Sequence, residues 1–301
     1  MYMYRPGITE SYYISILVAL FGIALNIRIV VIFCRDRNIR SKIPNILLFH
    51  QATVDMVSYL LFIVPFSLWQ IVPGTPKRIF WLQYSDLFMW TFSEFSSLFT
   101  FLLIGGERYA AICRPYWHKV HVNSKRVLLS ILAVWLSSSV IVIIYILLNL
   151  KAPLSSLTFG FQICMIIVPV LLAVIITALF GLAFYNARIS IRNAGNIGEN
   201  KDSKRTMNTK ETRQNSAAEY RLVLIFLLMY SVFVVAFACS VSITYSMHPV
   251  QLATGVFFLS LSSLFNPILT IVLKDDFKIN WKKSDHTNRV SQTSNSSGTK
   301  Q

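Results

Sequence analysis

Charge is scarce in this sequence, since only 14% of its 301 residues are Asp, Glu, Lys or Arg. Soluble domains carry about 25% charged residues. Here hydrophobic residues make up 54% of the chain, and the mean hydropathy is +0.56. This shortage of charge excludes an ordinary soluble domain and indicates a multi-span membrane protein.

Acidic residues are scarcer than basic ones: 13 Asp and Glu stand against 28 Lys and Arg, for a formal net charge of +15. Such an excess can indicate nucleic-acid binding when it covers a soluble face. Here the basic residues lie between apolar runs, where the retention of Lys and Arg on the cytoplasmic side of membranes accounts for them. We therefore expect no nucleic-acid partner.

A cleavable signal peptide is not evident, because MYMYRPGITE has no basic start followed by a short apolar stretch and a small-residue cleavage site. We expect the first apolar run to act as a signal anchor. Residues 1–10 then form a short extracellular segment, and they contain no glycosylation sequon. This argues against a large protein hormone captured by an ectodomain and leaves peptides and small molecules as candidate ligands.

Long apolar runs are what the sequence does have. Seven of them reach the roughly 20 residues that a helix needs to cross the hydrocarbon core. They lie near 11–34, 44–70, 82–106, 127–149, 162–186, 221–246 and 250–273. The third is interrupted by Asp86, Glu94 and several serines, so we expect it to be enclosed by the other helices.

The basic residues predict the orientation of the chain. Most of them follow the first, third and fifth runs or lie in the C-terminal tail, and the opposite side holds only Arg5, Lys77, Arg78 and Lys151. This places the N-terminus outside and the C-terminus in the cytoplasm. We expect a mobile third cytoplasmic loop over 187–220, a short interfacial segment over 274–283 and a disordered tail over 284–301.

Short motifs in five of the runs match one known family. The third run ends in Glu107-Arg108-Tyr109, followed by Ala-Ile and by Pro115. The other matching residues are Asn26, Asp55, Pro65, Trp135, Asn266, Pro267 and Phe277. In combination they resemble the rhodopsin-like G-protein-coupled receptors. The resemblance implies an all-α bundle of seven transmembrane helices with a short C-terminal interfacial helix, and it implies that the protein is a receptor and not an enzyme.

The resemblance also implies an activation switch at the cytoplasmic side. Its residues would be Glu107, Arg108, Tyr109, Tyr185, Glu219, Asn266 and Pro267. Arg108 would pair with Glu107 and Glu219 in the inactive state and turn towards Tyr185 on activation. The simpler interpretation of Glu219 is a solvated residue at a helix start, stabilised by the helix dipole.

A cation site follows from the same resemblance. Asp55, Ser97, Ser262 and Ser263 occupy the positions at which the family binds an allosteric sodium ion, and hard oxygen ligands suit a small cation. Serines inside membrane helices are also ordinary packing residues, so this site stays one of two alternatives. We expect no other cofactor.

Several positions depart from the family pattern. Thr270 replaces the tyrosine of the seventh-span motif, Phe237 replaces the sixth-span tryptophan, and the proline that follows it is missing. Gln83 stands where the family has the cysteine of its outer disulfide. The four cysteines are Cys34, Cys113, Cys164 and Cys239. No two of them are obvious outer partners, so we expect no disulfide.

Alignment to the family predicts an outer ligand pocket. Its residues are Trp90, Thr91, Glu94, Phe237, Ser240, Thr244, Val256 and Ser260. Trp90 replaces the acid that holds amine ligands, and Ser260 replaces the lysine that carries retinal. Glu94 would either receive a cationic ligand group beside aromatic faces or stay neutral and hydrogen-bonded to serines.

The function expected from the sequence is that of a plasma-membrane receptor that activates a heterotrimeric G protein. Basic inner segments would contact the G protein or anionic lipid, and hydroxyls in the tail would accept phosphate from receptor kinases and so dock arrestin. One alternative is an ion- or proton-coupled transporter that uses Asp55 and Glu94. Another is a degenerate receptor that pairs with a second receptor and signals little alone.

Overall fold

The computed structural model of the chain describes residues 6–72, 80–151, 156–197, 203–246, 249–274 and 277. Ten α-helices and one π-helical segment lie in these ranges. They are α1 (Pro6–Arg35), α2 (Arg37–Ser41), α3 (Ile43–Ser58), the π segment (Tyr59–Ile63), α4 (Val64–Ile71), α5 (Phe80–Cys113), α6 (Pro115–His121), α7 (Ser124–Lys151), α8 (Ser156–Ile197), α9 (Ser203–Ser246) and α10 (Pro249–Leu273).

Seven membrane spans account for the long elements. The spans in order are α1, α3 with the π segment and α4, then α5, α7, α8, α9 and α10. Six of them are both long and apolar enough to cross a bilayer. The third span, α5, has 34 residues and packs against the second, fourth, fifth and sixth spans. Its central place explains how it carries Glu94 and several serines, because those side chains face protein and not lipid.

Among the described residues, the larger hydrophobic cluster lies in the half of the bundle that contains Arg108. Large aromatic side chains from the third, fifth and sixth spans are fully or almost fully buried there, among them Phe101, Phe180, Phe226 and Tyr230. Apolar residues on the outward faces, such as Leu17 and Val174, are more than 60% exposed. Apolar side chains on both faces are what a helix needs when one face meets protein and the other meets lipid.

A local irregularity in the second span follows from Pro65. Proline has no N–H to donate to the carbonyl one turn earlier, and here the preceding residues 59–63 form a π-helical turn. This turn directs Tyr59 towards the seventh span, where its hydroxyl donates to the Ser260 carbonyl at 2.8 Å. Gly22 of the first span gives the ring its space, because a Cβ there would lie 2.4 Å from the Tyr59 ring.

Within 187–220, where the sequence predicted a mobile loop, the residues that the structure describes are helical. The fifth-span helix continues to Ile197, and the sixth-span helix already begins at Ser203. Extending an existing helix avoids the cost of nucleation, and Lys, Arg, Glu and Ala are good helix formers. The first helix likewise begins before the predicted run, at Pro6, a residue favoured at the first helical position.

Beyond the seventh span the structure describes only Lys274 and Phe277, and both are buried. The remainder of the interfacial segment predicted over 274–283, and the tail over 284–301, lie outside the described residues. All four cysteines are free thiols.

Candidate functional site

An ion-pair cluster joins the third and sixth spans at the end of the bundle where α6 lies. Arg108 is 2% exposed, and its Nε and Nη2 atoms donate to the two carboxylate oxygens of Glu107, each at 2.5 Å. Its Nη1 donates to Glu219 Oε2 of the sixth span at 2.6 Å. Arg108 therefore joins a neighbouring acid, held in a planar two-point contact, to an acid on a different helix.

His118 is a further member of this cluster that sequence reasoning missed. It lies on α6, the short helix after the third span, and its Nε2 is 3.0 Å from Glu107 Oε1. Glu107 therefore has one partner on its own helix, α5, and one on α6. The signal in the sequence was weak, because only the fold of the loop after Pro115 brings a histidine eleven positions away back to the acid.

The other residues assigned to the switch lie away from the guanidinium in this structure. Tyr185 is 63% exposed on the fifth span, and Tyr109 is only half-buried. Asn266 and Pro267 are buried in the seventh span, where Asn266 belongs to a separate polar network. The structure therefore brings together Glu107, Arg108 and Glu219, and it leaves Tyr185 outside this group.

Asp55 is the centre of that second network, which lies between the second, third and seventh spans. Asn266 Nδ2 donates to Asp55 Oδ2 at 2.9 Å, and Gln51 Nε2 donates to Asp55 Oδ1 at 3.1 Å. The Ser263 hydroxyl also forms a hydrogen bond with the carboxyl group. Gln51 Nε2 also lies 3.4 Å from Ser97 Oγ.

The residues expected to bind sodium are therefore close together, but they have other partners. Asp55, Ser97, Ser262 and Ser263 all line one cavity, and the Ser262 hydroxyl donates to the Leu259 carbonyl at 2.9 Å. A sodium ion needs oxygen lone pairs directed at it. Here amide N–H groups face both oxygens of Asp55. The set of residues fits a cation poorly.

This polar cavity continues outwards to two residues of the predicted ligand pocket. Its lining includes Trp90 and Glu94 as well as Asp55. Phe62 of the second span lies beside Trp90, with 5.3 Å between the ring centres. The cavity thus places Glu94 beside an aromatic wall, an arrangement that suits a cationic group.

The other pocket residues whose side chains the structure describes are not among those that line this cavity. Val256 and Ser260 are wholly buried, and Val256 packs in a cluster with residues of the first and second spans, including Tyr12 and Phe62. Phe62 also lines the cavity, so Val256 lies close behind its wall, and the assignment of these two residues to the pocket stays a prediction. Thr91 is buried, and Phe237 stacks on Phe233. The side chains of Ser240 and Thr244 lie outside the described residues.

An aromatic layer separates the polar cavity from the ion-pair cluster. Phe233 of the sixth span lines the cavity and contacts Phe101 of the third span, with 5.3 Å between ring centres. Tyr230, one turn further in, contacts Phe101 and donates to the Ala173 carbonyl of the fifth span at 2.6 Å. A movement of the sixth span would therefore change this layer and the Arg108 cluster together.

Comparison with known proteins identifies the class to which this arrangement belongs. Residues 25–269 match the family model described as the 7 transmembrane receptor (rhodopsin family). Because this match covers most of the chain, the chain belongs to that family. The family match decides against the transporter alternative and makes the protein a multi-pass membrane receptor and not an enzyme.

Two similar proteins agree with the family match. A dopamine D2-like receptor of Drosophila melanogaster is 29% identical over 125 residues, which cover 42% of this chain and only 13% of that receptor. The crystal structure of squid rhodopsin superposes with a TM-score of 0.73 at 18% identity, covering 98% of this chain and 87% of that one. At such low identity the rhodopsin structure shows the seven-helix fold alone.

Proposed function

We propose that this protein is a plasma-membrane receptor, with its N-terminus outside, that converts the binding of an extracellular ligand into activation of a heterotrimeric G protein. The observation that supports this most directly is the bond of Arg108 on the third span to Glu219 on the sixth, at 2.6 Å. A single contact between the inner ends of two spans is what a two-state receptor needs to hold its inactive form.

The proposed transition begins at the aromatic layer. A ligand that displaces Phe233 also displaces Phe101 and the helix that carries Glu219. Outward movement of the inner end of the sixth span breaks the pair between Arg108 and Glu219 and opens a space for the G protein. Tyr185, exposed in the present state, is then available to the guanidinium.

The ligand that suits the cavity is a small molecule or peptide carrying a cationic group. Trp90, Glu94 and Phe62 provide the acid and the aromatic faces that such a group prefers. The name of the Drosophila relative assigns dopamine to that receptor. In this chain Trp90 stands where amine receptors have their acid, so we place the cationic group at Glu94, one turn deeper.

The proposed partner surface is the cytoplasmic loop that carries α6. Tyr116 is 84% exposed and Trp117 is 47% exposed, and they are followed by the basic residues Lys119, Lys125 and Arg126. Exposed aromatic and basic side chains next to the ion-pair cluster suit a G protein, and anionic lipid would meet the same charges. We propose receptor kinases and arrestin as partners of the tail on its hydroxyl content alone.

Substitution of Glu219 by Ala tests the proposal. We expect basal signalling to rise roughly two- to fivefold in a G-protein reporter assay, since a partly exposed ion pair contributes about 0.4–1 kcal/mol. Arg221→Ala is the matched control, because Arg221 is exposed two residues away on the same helix. Each variant is compared with wild type at equal surface expression.

Two outcomes contradict the proposal in different ways. Basal signalling that stays the same in Glu219→Ala, while the wild type is active in the reporter, shows that the ion pair does not hold the inactive state. Silence of wild type and Glu219→Ala with every G-protein reporter favours the alternative of a receptor that signals only with a second receptor.

A further inference from the structure

Gln51 is an unusual neighbour for a buried carboxylate inside a membrane. It lies one helical turn before Asp55 on the second span, and it is 1% exposed. A glutamine amide at this depth is costly unless its hydrogen-bonding groups are used. Its N–H donors are used by Asp55 Oδ1 and Ser97 Oγ, which belong to two different spans.

These two acceptors are half of the set that the family resemblance assigns to a sodium ion. The Gln51 amide nitrogen lies 3.1 Å from one and 3.4 Å from the other, so it occupies the space between them. Asn266 Nδ2 takes the second oxygen of Asp55 at 2.9 Å. Two neutral amides therefore provide the positive partial charge that the carboxylate needs.

The orientation of the Gln51 amide follows from its partners. Turning it over would place the carbonyl oxygen, which has no hydrogen-bond partner in the structure, against the negative Asp55 oxygen. With the observed orientation, N–H hydrogens point into the space where a cation would need lone pairs. A cation can enter only if the amide turns or leaves.

We propose that Gln51 takes the place of the sodium ion, so that a side chain of the protein compensates Asp55 and the receptor does not respond to sodium. Removal of the amide, with the carboxylate and serines retained, would then restore an ion site. The sodium response of the polar network can be measured without a ligand and without a G protein.

The test is the melting temperature of the purified full-length chain in detergent, followed by tryptophan fluorescence. Sodium chloride and choline chloride are compared at the same concentration, about 150 mM, to hold ionic strength constant. For the wild type we expect melting temperatures that agree within about 1 °C. For Gln51→Met, which keeps the length of the side chain without its donors, sodium should raise the melting temperature by roughly 3 °C or more.

The matched control is the double variant Gln51→Met with Asp55→Asn, which should lose the sodium effect because the anionic ligand is gone. Gln51→Leu is measured in the same way, so that the result does not depend on one substitution folding well. A wild type whose melting temperature rises in sodium overturns the proposal. Folded Met and Leu variants that both ignore sodium overturn it equally, because the amide is then not what excludes the ion.

Discussion

Individual buried polar side chains decide how neighbouring spans face one another. The Trp135 indole of the fourth span donates to His50 Nε2 of the second at 2.6 Å, and Thr100 of the third lies 3.2 Å from His50 Nδ1. One imidazole therefore joins three helices. Trp135 could be identified from a motif, but His50 could not, because its partners are set by helix rotation and not by spacing along the chain.

The absence of a side chain at Gly22 allows the close contact between the first span and Tyr59 of the second. An added Cβ would lie 2.4 Å from the Tyr59 ring, which is fully buried and held by the bond to Ser260. We expect Gly22→Ala to lower the free energy of unfolding by about 1–3 kcal/mol, the usual cost of overpacking. The measurement is the thermal or denaturant stability of the purified protein.

Gly181→Ala is the matched control for this prediction. Gly181 also lies inside a membrane helix, but no atom lies within 4 Å of the position its Cβ would take. There alanine should be neutral or stabilising by up to about 1 kcal/mol, because it reduces the flexibility of the unfolded chain. If the two substitutions change the free energy of unfolding by the same amount, Tyr59 moves aside without cost and the contact is loose.

At the scale of elements, the sequence was a good guide to the spans and a poor guide to their ends and faces. Seven apolar runs predicted the seven long helices because bilayer thickness fixes their minimum length. Outside the bilayer that constraint is absent, so the extension of the fifth span to Ile197 could not be read from hydropathy. Which face of the seventh span Val256 and Ser260 occupy could not be read from hydropathy either, since that span is apolar on most of its surface.

The C-terminal end of the seventh span contacts the second span through Lys274. Thr270, in place of the family's tyrosine, only donates to the Asn266 carbonyl of its own helix. One turn later, buried Lys274 donates through Nζ to Asn45 Oδ1 of the second span and lies over the Phe277 ring. Asn45 in turn donates to the Ile39 carbonyl at 2.9 Å. These contacts link the seventh span to α2, the short helix between the first and second spans.

A double-mutant cycle on Asn45 and Lys274 measures that link. We expect Asn45→Ala and Lys274→Met to lower the free energy of unfolding by less in combination than the sum of the single variants, with a coupling of about 1–2 kcal/mol. The control cycle combines Asn45→Ala with Arg192→Met, an exposed basic residue on the fifth span, and should be additive. Additive losses in the Lys274 cycle would show that the contact does not stabilise the bundle.

At the scale of the whole molecule, most of the described basic residues lie at the same end as the proposed switch, and the proposed ligand cavity lies away from that end. The ion-pair cluster of Arg108, the exposed aromatic residues of α6 and most of the basic residues that the structure describes lie at one end of the bundle. The polar cavity with Trp90 and Glu94 lies deeper, separated from that end by the aromatic layer. A signal that enters at the cavity must therefore cross the layer of Phe101 and Phe233 to reach the basic end.

This arrangement transmits a signal into the cell only if the basic end lies in the cytoplasm. We therefore expect the N-terminus outside the cell and the C-terminus inside. Residues Arg35, Arg37, Arg40 and Lys42 follow the first span, whereas the preceding segment has only Arg5. An epitope tag at the N-terminus should be labelled on intact cells, and a tag at the C-terminus only after permeabilisation. Replacing Arg35, Arg37 and Arg40 by Gln should reduce labelling of the N-terminal tag at equal total expression, because the charge difference across the first span is then lost. Labelling of both termini on intact cells would rule out an odd number of spans and the direction of signalling argued above.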